Sequence, residues 1–204
     1  MPMFQSHPPK IYLAGPDVFF PNPKEIAERK KKICQKYGFE GVFPLDVEIK
    51  QEGEDTPFDI AAKISQSNEN LMDNCALLIA NLTPFRGVSV DAGTAFEAGY
   101  MRAQDKPVLG YTNITADYKE RVHTYYQSTT STSNAYDPDQ QGVTEVEDFG
   151  LAENLMIEIA IHNSKGHVVR QQVQTGEAFV CLQGFEICVQ HARNMLKENV
   201  SYSY

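Results

Sequence analysis

Apolar positions along the chain follow two alternating rhythms. Short unbroken runs, "KIYLAG", "GVFPLD", "ALLIANL" and "PVLGYT", end at glycine, proline or polar residues and predict buried strands. Between them, "KEIAERKKKICQKYG" places Ile26, Ala27, Ile33, Cys34 and Tyr37 at helical spacing. Asn22, Pro23 and Glu25 supply a cap, a first-turn proline and an acid for that helix, which ends near Gly38. Thr56, Pro57 and Asp59 repeat the pattern ahead of a helix running to about Asn74. Further helices are expected after "NLTPFRGVSVD", near "AENLMIEIAI" and from about Gly176, with a short strand "HVV" before the last. The final helix carries Ala178, Cys181, Leu182, Phe185, Cys188, Val189, Ala192, Met195 and Leu196 on one face.

Strands apolar throughout, alternating with amphipathic helices, predict an α/β fold: a doubly wound, flavodoxin-like or Rossmann-like parallel sheet flanked by helices. With 204 residues and 42% hydrophobic composition, the chain supplies one full core and reads as a single domain over residues 1–204. The stretch between "PVLGYT" and "AENLMIEIAI" is expected to be irregular. Within it "QSTTSTSNAYDPDQQG", residues 127–142, lacks periodicity and reads as a long polar loop.

Charge and cysteine usage narrow the function classes. The net charge is −9, and the one basic run, Arg29 to Lys32, reads as the solvated face of a helix, so neither a nucleic-acid polymer nor a membrane surface is an expected partner. Cys34, Cys75, Cys181 and Cys188 show no CxxC spacing and sit in apolar segments, as buried reduced thiols do; a cytoplasmic location is expected. The five histidines make no metal-ligand spacing, and neither a metal nor a cofactor is expected. Gly87, Gly93 and Gly99 do not form GxGxxG, and no GxxxxGK[ST] occurs.

In a doubly wound sheet, ligands bind beyond the carboxyl ends of the strands. There the chain offers "AGPD" after the first strand, "PLD" after the second, and "NLTPFRGVSVD" with Asp91 and Glu97 after the third. Asn68 shares a helix face with Ile64 and Leu71, and a carboxamide there needs partners. Each has a plainer reading: Glu97 as a backbone cap or solvated acid, Asp91 as an N-cap, Tyr12 as strand filler, Asn68 as a loop contact. Spacing gives a cleft with carboxylates and leaves the reaction open.

Together "KIYLAGPDVFFPNP", "ALLIANLTPFRGVSVDAGTAFEAGYM" and "EDFGLAENLMIE" resemble the nucleoside 2-deoxyribosyltransferase family, across most of residues 10–163. The D-x-G-x-x-x-E stretch followed by A-G-Y is the most specific part. The resemblance implies that Glu97 is a nucleophile forming a glycosyl ester with retention, oriented by Tyr12, and that Asp91 serves the base-binding end. It implies a 2'-deoxyribonucleoside and a free nucleobase as partners, and a homo-oligomer in which Asn154 and Met156 reach a neighbour's site on the sugar's 5' side. Gly15, Asp17, Phe19, Asn68, Arg86 and Gly87 complete the candidate substrate-binding set.

Many family members carry an aspartate near the position of Asn68, so the amide here departs from the pattern. Two other readings stay open. One is a 2'-deoxynucleoside 5'-monophosphate N-glycosidase, for which Arg86 would matter, although Asp91 and Asn154 would repel or ignore a phosphate. The other is a nucleotide-binding module without catalysis.

Overall fold

The computed structural model describes residues 7–50, 53–129, 145–174 and 176–201. Five parallel strands, β1 (Lys10–Ala14), β2 (Glu40–Val42), β3 (Leu77–Asn81), β4 (Val108–Thr112) and β5 (Val168–Arg170), pair in the order β2-β1-β3-β4-β5. This is the flavodoxin-like order. Tyr12 of β1 lies opposite Val42 of β2 and Leu78 of β3. Side chains alternate across the sheet, so Ile11, Leu13, Leu77, Ile79, Leu109 and Tyr111 enter one core, whereas Tyr12, Ala14, Leu78, Ala80 and Val108 enter the other. Both faces are covered, which is why the strands are apolar throughout rather than alternating.

Helices α1 (Pro23–Lys36) and α6 (Gln183–Ser201) cover the first face with Ile26, Ala27, Cys34, Phe185, Cys188, Val189 and Ala192. On the second face lie α3 (Ala92–Ala103), α5 (Leu155–Asn163) and the end of α2 (Pro57–Asp73), through Ala98, Met101, Ile161 and Met72. Gly110 of β4 is required by packing on this face, since a Cβ there would meet Leu82 Cδ1 at 2.6 Å. The Thr56–Asp59 cap forms as expected: Asp59 N–H donates to Thr56 Oγ1 at 3.2 Å and Thr56 N–H to Asp59 Oδ2 at 2.9 Å. Asn22 occupies the cap position of α1 but makes no capping hydrogen bond with its side chain.

Four expectations change. The segment after β4 is not wholly irregular, because α4 (Tyr118–Thr129) occupies part of it and takes in residues 127–129 of the polar stretch; residues 130–142 lie outside the described residues. Helix α4 escapes a periodicity reading because a polar residue, Arg121, is among its buried anchors alongside Val122. The second strand stops at Val42, and "PLD" forms a single 3-10 turn. The last helix begins at Gln183, with Glu177 to Val180 in turns before it. In the basic run, Lys30 is 1% exposed, because its ammonium pairs at 2.8 Å with the buried carboxylate of Asp17 in the 3-10 turn Pro16–Phe19.

All four cysteines are free, and no helix among the described residues is long and apolar enough to cross a membrane.

Candidate active site

The order of the strands reverses between β1 and β3, and the loops leaving their carboxyl ends separate there, opening a crevice. A cavity of about 330 Å³ occupies it, large enough for a small ligand. Gly15, Val18 and Phe19 contribute from the loop after β1, Pro44 and Leu45 from the turn after β2, and Ile64 and Asn68 from α2. Asp91, Gly93, Thr94 and Glu97 contribute from α3 and its N-cap. Helix α2 buries only Met72, near its end, which leaves Ile64 exposed where it lines the cavity. At Gly15 the backbone passes so close to its neighbours that a Cβ would lie 2.8 Å from Asn81 Cβ and press on Asp17 Oδ2.

Glu97 is half-buried and sits in the second turn of α3, where the helix crosses over β1. Tyr12, fully buried in β1, donates from its hydroxyl to Glu97 Oε1 at 2.7 Å. The two residues are 85 positions apart in sequence and meet because α3 packs over the sheet face to which even-numbered positions of β1 point. Removal from water pushes the Glu97 carboxyl up to about 7; the Tyr12 hydrogen bond opposes this, and the negative charge of Asp91 adds to it. Burial, with Glu97 beside it, pushes the Tyr12 phenol far above its ordinary range, so it remains a donor. At neutral pH Glu97 is thus a carboxyl poised between its two forms, fixed by one hydrogen bond and facing a cavity.

Asp91 caps α3: Thr94 N–H donates to its Oδ2 at 3.2 Å. Among the described residues no hydrogen bond reaches its other oxygen, so the cap leaves that atom free for a ligand. The plainer reading of Asp91 as an N-cap and the reading as a site acid therefore coexist in one side chain. Asn68 lines the same cavity from α2 and supplies a neutral donor and acceptor.

The structure thus brings Tyr12, Gly15, Phe19, Asn68, Asp91 and Glu97 together at one crevice and places the other candidates elsewhere. Asp17 does not line the cavity; it is wholly buried and turned to Lys30, because a lone carboxylate in the core needs a counter-charge. Arg86 is exposed, with its guanidinium 4.7 Å from the ring centroids of both Phe19 and Phe85, which themselves stack at 5.6 Å. It touches the site only through Phe19. Gly87 is exposed in the turn closed by the Phe85 N–H to Ser89 O hydrogen bond.

Asn154 caps α5, accepting from Met156 N–H at 3.0 Å and donating to Glu147 at 2.9 Å, and neither it nor Met156 lines this chain's cavity. Met156 is 72% exposed.

Glu153 and Arg121 carry no sequence signal as site residues, yet they support the loop that leads into α3. Glu153, with no exposed surface, accepts from Ser89 Oγ, Val90 N–H, Asn154 N–H and Arg121 Nη2, while Arg121 Nε donates to Val88 O. A glutamate standing singly between Ala152 and Asn154 offers no spacing from which this could be read. Among the described residues no group of three or more His, Cys, Asp or Glu converges as a metal site would require.

Residues 11–156 match the family model described as nucleoside 2-deoxyribosyltransferase. Over 127 residues, 61% of this chain, the sequence is 40% identical to an uncharacterised protein of Schizosaccharomyces pombe; the match spans 60% of that relative's length. A solved 2-desoxiribosyltransferase from Leishmania mexicana superposes with a TM-score of 0.59 at 27% identity, over 90% of this chain and 99% of the other. A conserved protein from Enterococcus faecalis shares the fold, with a TM-score of 0.51 at 17% identity over 90% and 98% of the two chains.

Proposed function

The chain belongs to the nucleoside 2-deoxyribosyltransferase family, and on that premise we propose that it moves 2-deoxyribose from one nucleobase to another through an ester on Glu97. The observation that carries this reading is the pairing of Tyr12 with Glu97 at 2.7 Å beside a cavity of about 330 Å³, with the carboxyl held near neutrality.

The Glu97 carboxylate attacks the anomeric carbon of a 2'-deoxyribonucleoside. The C1'–N bond breaks, its electron pair leaves with the base, and a ring nitrogen of the base takes up the proton that Asp91 gives. The sugar is held as an ester on Glu97. A ring nitrogen of the second base then attacks the same carbon, the ester C–O bond breaks back to carboxylate, and the incoming base gives up its proton to Asp91, which is thereby restored. Two inversions give retention.

Tyr12 fixes one carboxylate oxygen so that the other faces the sugar, and partial removal from water makes the carboxylate a stronger nucleophile than a solvated one. The mostly apolar lining favours interception by a base over interception by water.

No lysine or arginine is among the described residues lining the cavity. That supports an unphosphorylated substrate over a 5'-monophosphate, because a phosphate beside Asp91 and Glu97 would meet like charge without compensation. The exposed Met156 and the position of Asn154 outside this chain's own cavity support a homo-oligomer in which these two residues complete a neighbour's pocket.

Incubation with deoxyinosine and free adenine tests the activity. New deoxyadenosine is the expected product; free 2-deoxyribose with no deoxyadenosine would make the protein a hydrolase, and binding without turnover would make it a binding module. Mixing inactive Glu97→Ala with impaired Asn154→Ala subunits, after subunit exchange is shown by native mass spectrometry, is expected to raise activity above that of either alone.

A further inference from the structure

The proposed reaction needs Asp91 at a fixed place relative to Glu97, yet the loop before Asp91, Phe85 to Ser89, is exposed or half-exposed, and its aromatic anchor, Phe85 against Phe19 and Phe179, lies at the end away from Asp91. What holds it is a carboxylate from another part of the chain. Ser89 Oγ donates to Glu153 Oε1 at 2.5 Å and Val90 N–H to Glu153 Oε2 at 3.0 Å, so both oxygens grip the two residues immediately before Asp91. Arg121 closes the arrangement, donating from Nη2 to Glu153 Oε2 at 3.3 Å and from Nε to Val88 O at 2.9 Å. The same Glu153 Oε1 accepts Asn154 N–H at 2.9 Å, tying the start of α5 to the loop.

Burying a carboxylate completely is costly, and cheaper ways exist to close a loop; this one is fully compensated by four donors, one of them cationic. Such a network is rigid because every member has its partner, and rigidity directed at residues 88–90 passes through one peptide bond to Asp91.

Resting on the transferase reading above, we infer that Glu153 is a positioning residue that sets the place of Asp91 for its work on the leaving base, with Ser89 and Arg121 as its arms. Glu153 touches no substrate. Within this chain's own pocket its effect falls at the end where the base is protonated, because Tyr12 and Glu97 are held from β1 and the body of α3; Ser89, which does not touch Asn154, separates that effect from the Asn154 contact. A misplacement of about 1 Å in such a group costs about 100-fold in rate.

The test compares two donors. One is a 2'-deoxyribonucleoside, whose base needs a proton to leave; the other is 4-nitrophenyl 2-deoxyriboside, whose leaving anion needs none. Glu153→Gln, which puts an NH₂ against the donors now facing a carboxylate oxygen, is expected to lower kcat on the nucleoside by about 100-fold and on the activated donor by no more than a few-fold. Ser89→Ala removes a single arm, leaves the buried pair intact, and is expected to lower kcat several-fold on the nucleoside alone; it carries the test if Glu153→Gln does not fold.

Equal losses on both donors, or no loss on either, would overturn the positioning role. If the wild-type protein transfers deoxyribose from neither donor, the transferase reading is what fails. Hydrogen exchange at residues 88–91 then decides the positioning claim alone, with faster exchange in both variants supporting it and unchanged exchange overturning it.

Discussion

Glu97 and Glu153 are glutamates drawn away from water in the same molecule, and their surroundings differ in one respect. Glu153 receives four hydrogen bonds and the charge of Arg121, whereas Glu97 receives a single hydrogen bond from Tyr12 and the repulsion of Asp91. A carboxylate whose lone pairs are all engaged holds chain segments together. One left short of partners is unstable in its charged form and has a free oxygen directed at a cavity, and that instability is usable as reactivity.

The largest contrast lies in activity. Glu97→Ala and Glu97→Gln are both expected to lose about 10⁴-fold or more in transfer rate, measured by base exchange at saturating donor, with the fold retained because alanine and glutamine both suit a helix. Turnover near wild type in either folded variant would remove Glu97 from the chemistry.

Stability reverses the ranking. Glu153→Ala leaves Arg121 as a buried charge without its partner and is expected to cost about 3–5 kcal/mol in a denaturant titration. A cost within about 0.5 kcal/mol, the range of ordinary surface changes, would show that the network does not hold the loop.

Glu97→Gln should move stability in the opposite direction, and only on one side of neutrality. In the folded protein the Glu97 carboxyl is pushed up to about 7, above its ordinary value of 4.5. The stability tied to its protonated form is therefore complete below about 4.5 and is lost as pH rises through about 7. An amide cannot ionise, so the variant is expected to match the wild type near pH 4 and to exceed it by about 1–3 kcal/mol above pH 8. Thermal melts at the two pH values read this directly, and a pH-independent difference would contradict it.

The smallest effect concerns Tyr12. Its hydrogen bond favours ionised Glu97, so Tyr12→Phe should raise the Glu97 carboxyl further. The acid limb of kcat/KM, which reports ionisation of the nucleophile in the free enzyme, is expected to move to higher pH by about one unit.

The same contrast explains what could be read from sequence. Strands such as "ALLIANL" were legible because both sheet faces are buried, and the Thr56–Asp59 cap because its partners are three residues apart. Contacts made across the fold left no local trace. Lys30 looked like one more solvated lysine in "RKKK" because its partner, Asp17, lies in another element.

Helix α4 was missed because Arg121 buries a guanidinium where a periodic pattern would look for an aliphatic side chain, and Glu153 was missed with it. Tyr12 and Glu97 entered as a pair only through the family resemblance, since nothing in a spacing of 85 residues joins a strand tyrosine to a helix glutamate. Asp17 follows the first strand and so reads as a pocket residue, but it turns inward to Lys30, a contact across the fold that spacing does not show.

The central claim is that Glu97, the less satisfied of the two acids, becomes the ester. Enzyme mixed with a 2'-fluorinated deoxynucleoside, which slows release of the sugar, then quenched in acid and digested, should show one fluorodeoxyribosyl group per chain by mass spectrometry. Fragmentation should place it on Glu97, and Glu97→Gln should acquire none. Sugar on any other residue, or a transfer product of inverted configuration, would contradict the account.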